Sequence, residues 1–313
     1  MASGSLEEEL KDFQEAYRLE PTNTAYVANL ARAYIKVDRF DEAKAVVDKG
    51  IAQGLLSGDL RGLSLTIGYL RGDRTAQERE VAWFAGKPEE YIGLALQAQQ
   101  AIMLGQWTAA ADSRRRTADS ARRQNVVAAA AQYSAPDFLS EALRGNCGPA
   151  RMGPNPLALA LCSDAAQVEA VTDAATKRQP LSTLWNSIRL PIIRAAMELK
   201  RDQPAKAIEL LQPVIHYERS YPEAIYLRGL AYLRAGKGQE SAAEFQKLLG
   251  YNGITWGTLY YPLAQLGLAR AASAAGDAPK AKKAYQDFLA LWKDADKDIP
   301  ILMEARKEYP ALR

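Results

Sequence analysis

The chain has 313 residues, of which 48% are hydrophobic and 25% are charged, and 40 lysines and arginines against 37 aspartates and glutamates give a formal net charge of +3. This hydrophobic fraction can build a core, which excludes wholesale disorder, and the near-neutral balance lacks the concentrated basic character of a nucleic-acid binder. Aromatic residues make up only 8% of the chain and long alternating Val/Ile/Thr runs are missing, so an all-β architecture is disfavoured.

Short helices joined by tight turns are predicted along almost the whole chain. Good helix formers are abundant, and apolar residues recur at helical spacing rather than alternating. Short Gly, Asp or Pro breaks separate segments of roughly 12–18 residues. In chain order these breaks include Glu20–Asn23, Gly54, Gly72–Asp73, Gly86–Pro88, Gly105, Gly236 and Gly276–Pro279.

Helical hairpins are expected from residue 6 to residue 145. Residues 1–5 read like a scar of recombinant expression. Phe13, Ala16 and Pro21 fit the second helix of a hairpin, with the proline closing it. The first helix of that hairpin is missing, so we expect the chain to have been cut from a longer protein.

The middle of the chain breaks the helical pattern. Residues 146–156 are dense in Gly, Pro and Asn, and we predict an irregular loop at which the array bends. A true linker between two domains is the alternative. Residues 157–313 are expected to form further hairpins, and Asp298 to Tyr309 reads as a lone final helix that caps the last one.

Three pairs of neighbouring segments share one spacing over four small or bulky residues, and each of these sets follows an apolar residue. They are Val27, Ala31, Tyr34, Ala43 and Val47; Ile225, Gly229, Tyr232, Ser241 and Phe245; and Leu268, Ala269, Ala272, Ala281 and Tyr285. A small side chain lets two crossing helices approach, and a bulky one fills the gap beside it. The spacing resembles the tetratricopeptide repeat, a helix–turn–helix unit of about 34 residues. We therefore predict an all-α, tetratricopeptide-like α-solenoid: a right-handed superhelix of about seven antiparallel hairpins with a C-terminal capping helix.

A closer resemblance covers residues 6–313 and is most specific over 181–313. It is carried by Pro204–Pro213, Tyr226–Leu233, Ala243–Lys247 and Ala284–Asp296. These segments resemble the tetratricopeptide region that follows the kinase domain in a group of bacterial serine/threonine protein kinases, and the same region of related winged-helix regulators. In that family a catalytic or DNA-binding domain comes first, and a membrane segment often lies between. The resemblance thus implies a bacterial signalling protein, with either side of the inner membrane left open.

Candidates for catalysis are sparse. The Gly-rich loop, catalytic loop and metal-binding motif of a kinase are missing, as are a P-loop and a nucleophile elbow. His216 is the single histidine, and Cys147 and Cys162 are too few and too distant from it for a usual zinc site. We interpret the cysteines as incidental thiols, with a disulfide as the alternative. The chain is therefore predicted to be no enzyme and to need no cofactor or metal.

The sequence also bears on partners. The densest basic cluster, Arg114–Arg116 with Arg122–Arg123, lacks interleaved aromatic residues and reads as a solvated helix face rather than a nucleic-acid site. No apolar stretch approaches the roughly 18–20 residues that cross a bilayer, and no signal peptide is visible. Self-association is an open expectation, since exposed apolar ends of helical arrays can pair.

The first helix of each hairpin lines the groove in tetratricopeptide proteins, so groove candidates come from those helices. They are Asn29, Arg32, Lys36, Arg189, Tyr226, Arg234 and Arg270. Arginine and asparagine can hold peptide backbone or carboxylate, and tyrosine supplies amphipathic contact area. We predict a non-catalytic scaffold that binds a peptide or protein in this groove. A small-ligand-sensing regulatory domain is the alternative, and a carboxylate clamp is disfavoured because the next first helix offers Leu63, Leu65 and Tyr69.

Overall fold

The computed structural model describes residues 6–55, 57–163 and 165–309, and over these ranges it contains α-helices and no strand. The first ten helices are α1 Leu6–Leu19, α2 Thr24–Lys36, α3 Phe40–Ala52, α4 Gly58–Leu70, α5 Arg74–Phe84, α6 Glu90–Met103, α7 Trp107–Arg123, α8 Val127–Ser134, α9 Phe138–Leu143 and α10 Cys147–Ala150. The rest are α11 Pro156–Cys162, α12 Ala165–Arg178, α13 Leu190–Lys200, α14 Pro204–Leu211, α15 Pro222–Arg234, α16 Gly238–Leu249, α17 Asn252–Thr255, α18 Tyr260–Ala274, α19 Ala278–Leu291 and α20 Pro300–Glu308. A π-helical turn, Leu184–Arg189, leads into α13, and a 3-10 segment, Gln212–Ser220, follows α14.

The chain divides into two compact units. Unit 1 comprises Met1–Ala135 together with Tyr251–Gly257, and unit 2 comprises Pro136–Gly250 together with Thr258–Arg313. Neighbouring helices of each unit pack as antiparallel hairpins, among them α2 with α3 and α15 with α16. The predicted all-α, tetratricopeptide-like solenoid is therefore confirmed. The sequence-based boundaries at 145 and 157 remain predictions, and the contact-based division follows Ala135.

Eight helices are joined to the next helix by the same three-residue turn, whose middle residue has a left-handed backbone. These residues are Asp38, Gly72, Gly105, Asn125, Gly145, Asp202, Gly236 and Gly276. In the turn after α4, the Gly72 N–H donates to the Tyr69 carbonyl at 3.2 Å, and the Asp73 N–H donates to the Gly68 carbonyl at 2.9 Å. This pair of bonds satisfies carbonyls that the helix end would leave unpaired. The chain then reverses within two or three residues, which makes each hairpin tight.

Phe245 shows how small and bulky residues lock neighbouring hairpins of unit 2. Its ring is fully buried between α15 and α18. A Cβ added to Gly229 would lie 2.9 Å from this ring, and one added to Gly267 would lie 2.5 Å from it. Both glycines therefore make room for the phenylalanine, and the Ser241 hydroxyl adds a hydrogen bond to the Gly229 carbonyl at 2.8 Å.

The cysteines correct one interpretation made from the sequence. Cys147 and Cys162 are not incidental thiols but form a disulfide that joins α10 to α11. The chain turns back between these two short helices and brings the two Cα atoms to 5.2 Å across a separation of 15 residues. The bond lies in a small apolar cluster with Ala142, Ala150 and Ala158.

The final helix, α20, packs on the last hairpin of unit 2. Leu302 and Ala305 on its inner side are fully buried. Arg270 on α18 donates to Glu308 near the end of α20 at 2.8 and 2.9 Å. The described part of the predicted segment 298–309 is thus a docked helix, consistent with the capping role that the repeat pattern requires.

Candidate partner-binding surfaces

The three groove candidates of unit 1 lie on one side of α2 and are tied to neighbouring helices. The Arg32 guanidinium donates to the Asn29 amide oxygen at 3.3 Å and forms an ion pair with Asp59 on α4. The Lys36 ammonium lies 2.7 Å from a Glu9 carboxylate oxygen on α1. All of these side chains are partly exposed, so the pairs are weak, and another carboxylate can replace either acidic partner at small cost.

Two of the three arginines predicted on the first helices of unit 2 also have internal partners. Arg234 donates to the Leu199 carbonyl and so caps the end of α13. Arg270 joins α18 to α20 through Glu308 and, at 3.3 Å, through Glu304. The Tyr285 hydroxyl donates to the same Glu308 carboxylate at 2.8 Å. Burial disfavours the charged form of Glu308, but these hydrogen bonds outweigh that effect and hold the pKa of Glu308 below its usual value.

Tyr226 lies in a buried aromatic cluster of unit 2. Its ring centroid is 6.0 Å from that of Phe245 and 5.7 Å from that of Tyr260. Burial raises the pKa of Tyr226 to about 12. The Tyr260 hydroxyl is buried and makes no hydrogen bond with any described residue. Tyr226 therefore supports the packing between α15 and α18 rather than presenting an exposed contact area.

Glu223, a residue that sequence reasoning missed, lies close enough to this aromatic cluster to interact electrostatically with Tyr260. Burial raises the pKa of Glu223, and a backbone hydrogen bond and the charge of Arg189 oppose only part of that effect. Arg189 is exposed at the end of the π-helical turn before α13. Of the seven predicted groove residues, three belong to unit 1 and four to unit 2. Their role in partner binding stays a prediction.

The inner surface of unit 1 holds a piece of the chain itself. Residues Tyr251–Gly257, called here the resident segment, pack on the C-terminal ends of α2, α4 and α6. The Trp256 indole stacks on the Tyr69 ring with a centroid distance of 5.6 Å and an interplanar angle of 20°. Its N–H donates to the Gln100 side-chain oxygen at 2.9 Å. Two successive first helices therefore bind one tryptophan.

The backbone of the resident segment is also bound. The Gly253 N–H donates to the Asp38 carboxylate at 2.7 Å. A Cβ at residue 253 would lie 1.8 Å from the Ile35 carbonyl oxygen, so only glycine fits there. Gly257 has a left-handed backbone, and a Cβ there would lie 3.0 Å from the Gln99 Cβ. Five residues of α2, α4 and α6 and their turns touch the segment, namely Ile35, Asp38, Tyr69, Gln99 and Gln100. We call this set of residues the Tyr69 face.

The Tyr69 face was not among the sequence candidates. Tyr69 lies beside the groove positions of α4, where sequence reasoning saw it only as a reason against a carboxylate clamp. Its partner Trp256 is far along the chain, and no local pattern links the two. The one available signal was the aromatic residue between two glycines, Gly253 and Gly257, in a short break between helices.

Unit 2 also contains an open cavity of about 720 Å³. It lies between α12, α13 and α14, and its charged lining residues are Glu169, Asp173, Arg194, Glu198, Arg201, Lys206 and Glu209. Arg201 already pairs with Glu198 at 2.7 Å and with Glu169 at 3.0 Å. The cavity therefore offers paired charges of both signs rather than a single strongly charged pocket.

Among residues 6–55, 57–163 and 165–309, no three His, Cys, Asp or Glu side chains are arranged to hold a metal ion. Within the same ranges, none of the helices combines the length and the apolar character needed to span a bilayer. His216 lies exposed on the 3-10 segment. Arg115 and Arg122 of the basic cluster form ion pairs within α7, with Asp112 and Asp119.

Comparison with known proteins gives a partial match. A tetratricopeptide repeat family model matches residues 1–63, which include α1, α2 and α3. No curated protein sequence matches the chain at a significant level. Among solved structures, the yeast Tom70 crystal structure is similar with a TM-score of 0.38 and 9% sequence identity, over 98% of this chain and 85% of that one. The family match and the hairpin fold together show tetratricopeptide-like hairpins at the N-terminal end of the chain.

Proposed function

We propose that this protein is a non-catalytic scaffold that binds a peptide or protein on the inner surface formed by its first helices. The observation that supports the proposal is the resident segment: three successive first helices of unit 1 already bind a stretch of polypeptide. They bind both its backbone, through Asp38, and a side chain, through Tyr69 and Gln100. A surface that does this is built to bind polypeptide.

The mechanism follows from the rigidity of stacked hairpins. The tight turns and interlocked side chains fix the first helices before a partner arrives, so binding costs little ordering of the receptor. Exposed Arg32 and Lys36 supply charge beside the aromatic surface, and their weak ion pairs can exchange for carboxylates of a partner.

The test is capture of partner proteins by the full chain and by two double variants. Arg32→Ala/Arg270→Ala removes one positive charge from a first helix of each unit. Lys44→Ala/Lys283→Ala removes the same charge from α3 and α19, where both lysines form exposed pairs with Asp48 and Asp287. We expect the arginine variant to lose captured proteins that the lysine variant retains.

Folding and specificity must be checked in the same experiment. Circular dichroism should show that both double variants keep the helical content of the wild-type chain. Equal capture by the wild-type chain and the arginine variant, with both folded, would reject the inner surface as the binding site.

We also propose that the scaffold serves a larger bacterial signalling protein, associated with a serine/threonine kinase or a winged-helix regulator. The support is the resemblance over residues 181–313. The coding sequence on the N-terminal side of this chain provides the test. A kinase catalytic loop or a winged-helix domain there would support the proposal, and a sequence with neither would contradict it.

A small-ligand sensor is the second candidate function, favoured by the cavity of unit 2. Its volume of about 720 Å³ lies in the range of small-molecule sites, and charged side chains converge on it. Thermal-shift measurements with small zwitterions and dicarboxylates test this candidate. A shift that Arg194→Ala abolishes would favour it, and no shift with either class would count against it.

A further inference from the structure

We propose that the Tyr69 face is a recognition site for a partner segment of the form Gly-x-x-Trp-Gly, and that the resident segment occupies it as an internal competitor. This inference rests on the proposed protein-binding function and specifies its ligand chemistry. The resident segment has this form, because Gly253, Trp256 and Gly257 stand at those positions.

Each fixed position has a physical reason. The tryptophan combines a flat stack on Tyr69 with an N–H that reaches Gln100, whereas phenylalanine offers only the stack. The first glycine lets the backbone approach the Ile35 carbonyl while its N–H reaches Asp38. The second adopts a left-handed backbone against Gln99, which other residues rarely adopt. The two intervening positions are Ile254 and Thr255, and Thr255 is fully buried with its hydroxyl donating to the Tyr251 carbonyl at 2.8 Å.

The environment of Tyr69 favours an aromatic partner over a charged one. Burial raises the pKa of Tyr69 to about 12, as expected for a hydroxyl partly removed from water. A neutral ring stacks on an indole without a charge to desolvate. Tyrosine and tryptophan are also the residues that most often dominate the energy of peptide and protein interfaces.

The resident segment lies on the surface of unit 1 and is not part of its apolar core. Thr255 is its one fully buried residue, and the other six, including Trp256, are partly exposed. The Asp38, Tyr69, Gln99 and Gln100 side chains of the Tyr69 face are likewise partly exposed, whereas Ile35 is buried and belongs to the apolar cluster of α1 to α4. Segments with few buried apolar contacts open at low free-energy cost.

Because the resident segment belongs to the same chain, it weakens the apparent affinity of the site for any external peptide. A tethered segment acts at an effective concentration of order millimolar, so an external peptide with the same contacts binds the wild-type chain weakly. Removing the resident segment exposes the site and restores the intrinsic affinity. The site is thus regulated by whether the resident segment occupies it.

The test uses the full chain with Gly253→Ala, which pushes the resident segment away from Ile35 without changing Trp256 or the Tyr69 face. The probe is a fluorescein-labelled peptide, Tyr-Asn-Gly-Ile-Thr-Trp-Gly, and binding is followed by fluorescence anisotropy. We expect the G253A chain to bind it at least about tenfold more tightly than the wild-type chain does. A peptide with alanine in place of tryptophan should bind at least about tenfold more weakly.

Gly148→Ala is the matched control, because a Cβ there has no described atom closer than 3.9 Å. This variant should bind the peptide as weakly as the wild-type chain. Adding Tyr69→Ala to G253A should abolish binding, which places the peptide on the Tyr69 face.

Three results would overturn the proposal. One is a folded G253A chain that binds the peptide no better than the wild-type chain, and another is equal binding of the alanine peptide. The third is loss of the helical fold in both G253A and the second opening variant, Trp256→Ala, since the segment would then be a structural element. If protein capture still depended on Arg32 and Arg270 in any of these cases, the proposed function would survive without this inference.

Discussion

At the scale of single residues, two buried tyrosines of unit 2 differ in what their hydroxyls contact. Tyr260 and Tyr285 are both about 95% buried or more. The Tyr285 hydroxyl donates to Glu308 at 2.8 Å, whereas the Tyr260 hydroxyl has no described partner. A buried polar group contributes to stability only when it is hydrogen-bonded, so the two hydroxyls should affect folding in opposite ways.

Replacing each tyrosine by phenylalanine tests this difference. Tyr285→Phe should lower the free energy of unfolding by about 1.5–3 kcal/mol, because it removes a hydrogen bond to a carboxylate. Tyr260→Phe should leave stability unchanged or raise it. Urea unfolding followed by circular dichroism measures both variants. Equal losses in the two would contradict the assignment of a free Tyr260 hydroxyl.

Glu223 gives a pH prediction at the same scale. Because its folded-state pKa is raised, the carboxyl keeps a proton at pH values where the unfolded chain has lost it. Its contribution to stability is therefore most favourable below the unfolded-state pKa, about 4.3, and is lost as pH rises through the raised folded pKa. Glu223→Gln should be more stable than the wild-type chain at neutral pH, with a difference that shrinks toward pH 4.

Urea midpoints measured between pH 4 and pH 8 decide this prediction. The difference between wild type and E223Q isolates Glu223, since every other titrating group is common to the two chains. A difference that stays constant over this range would show that the folded protein does not raise this pKa.

At the scale of elements, the repeated left-handed turn governs how each hairpin forms. Five of its eight positions are glycine, and the others are Asp38, Asn125 and Asp202, with φ of 62°, 58° and 57°. Asparagine and aspartate tolerate this backbone better than other residues with a side chain, but glycine adopts it without strain. Stability at these positions therefore depends on backbone conformation more than on contacts.

Two substitutions in unit 1 separate backbone strain from side-chain contact. Gly72→Ala should destabilise by about 1–2 kcal/mol, although no described atom lies within 4 Å of the added methyl. Asn125→Gly should stabilise by about 0.5–1 kcal/mol, because it relieves the same strain. Thermal unfolding measures both, and destabilisation by N125G would show that the asparagine side chain matters more than the backbone.

The contact of Phe245 with two glycines is the second feature at this scale. Gly267→Ala should destabilise unit 2 by about 1–3 kcal/mol, because its Cβ would lie 2.5 Å from the ring. Phe245→Leu removes that clash, so the cost of Gly267→Ala should fall in the F245L background. A double-mutant cycle measures the coupling, and additive losses would contradict direct contact.

At the scale of the whole molecule, each unit has its own apolar core. One core involves α1 to α4 in unit 1, and another involves α11 to α15 in unit 2. The disulfide lies in a satellite cluster of unit 2. A change at the cysteines should therefore alter the stability of unit 2 first.

Replacing both cysteines by serine tests that expectation. The bond closes a loop of 15 residues, for which the chain-entropy model gives a stabilisation of about 3 kcal/mol. Hydrogen exchange followed by mass spectrometry should show faster exchange in residues 138–162 of the variant, and unchanged exchange in α2 and α3. Thiol labelling of the unfolded, unreduced wild-type chain is the control, and rapid labelling would show that the disulfide is absent.

Part of the fold could be predicted from local sequence because the signals of a helical repeat are local. Helix formers at helical spacing predict the helices, and glycines such as Gly72 and Gly236 mark the hairpin turns. The spacing between Gly229 and Phe245 predicts packing within one hairpin. All these signals act within about 34 residues, which is the range over which such repeats are built.

The sequence by itself therefore determined the all-α class, the hairpin turns and the small-against-bulky packing. Only the tertiary structure decided that Cys147 and Cys162 pair, that Tyr226 is buried, and that Trp256 stacks on Tyr69. Such contacts depend on where distant segments meet, and helical periodicity carries no information about that. The energy that selects them comes from burial and geometry in three dimensions, which only the folded chain defines.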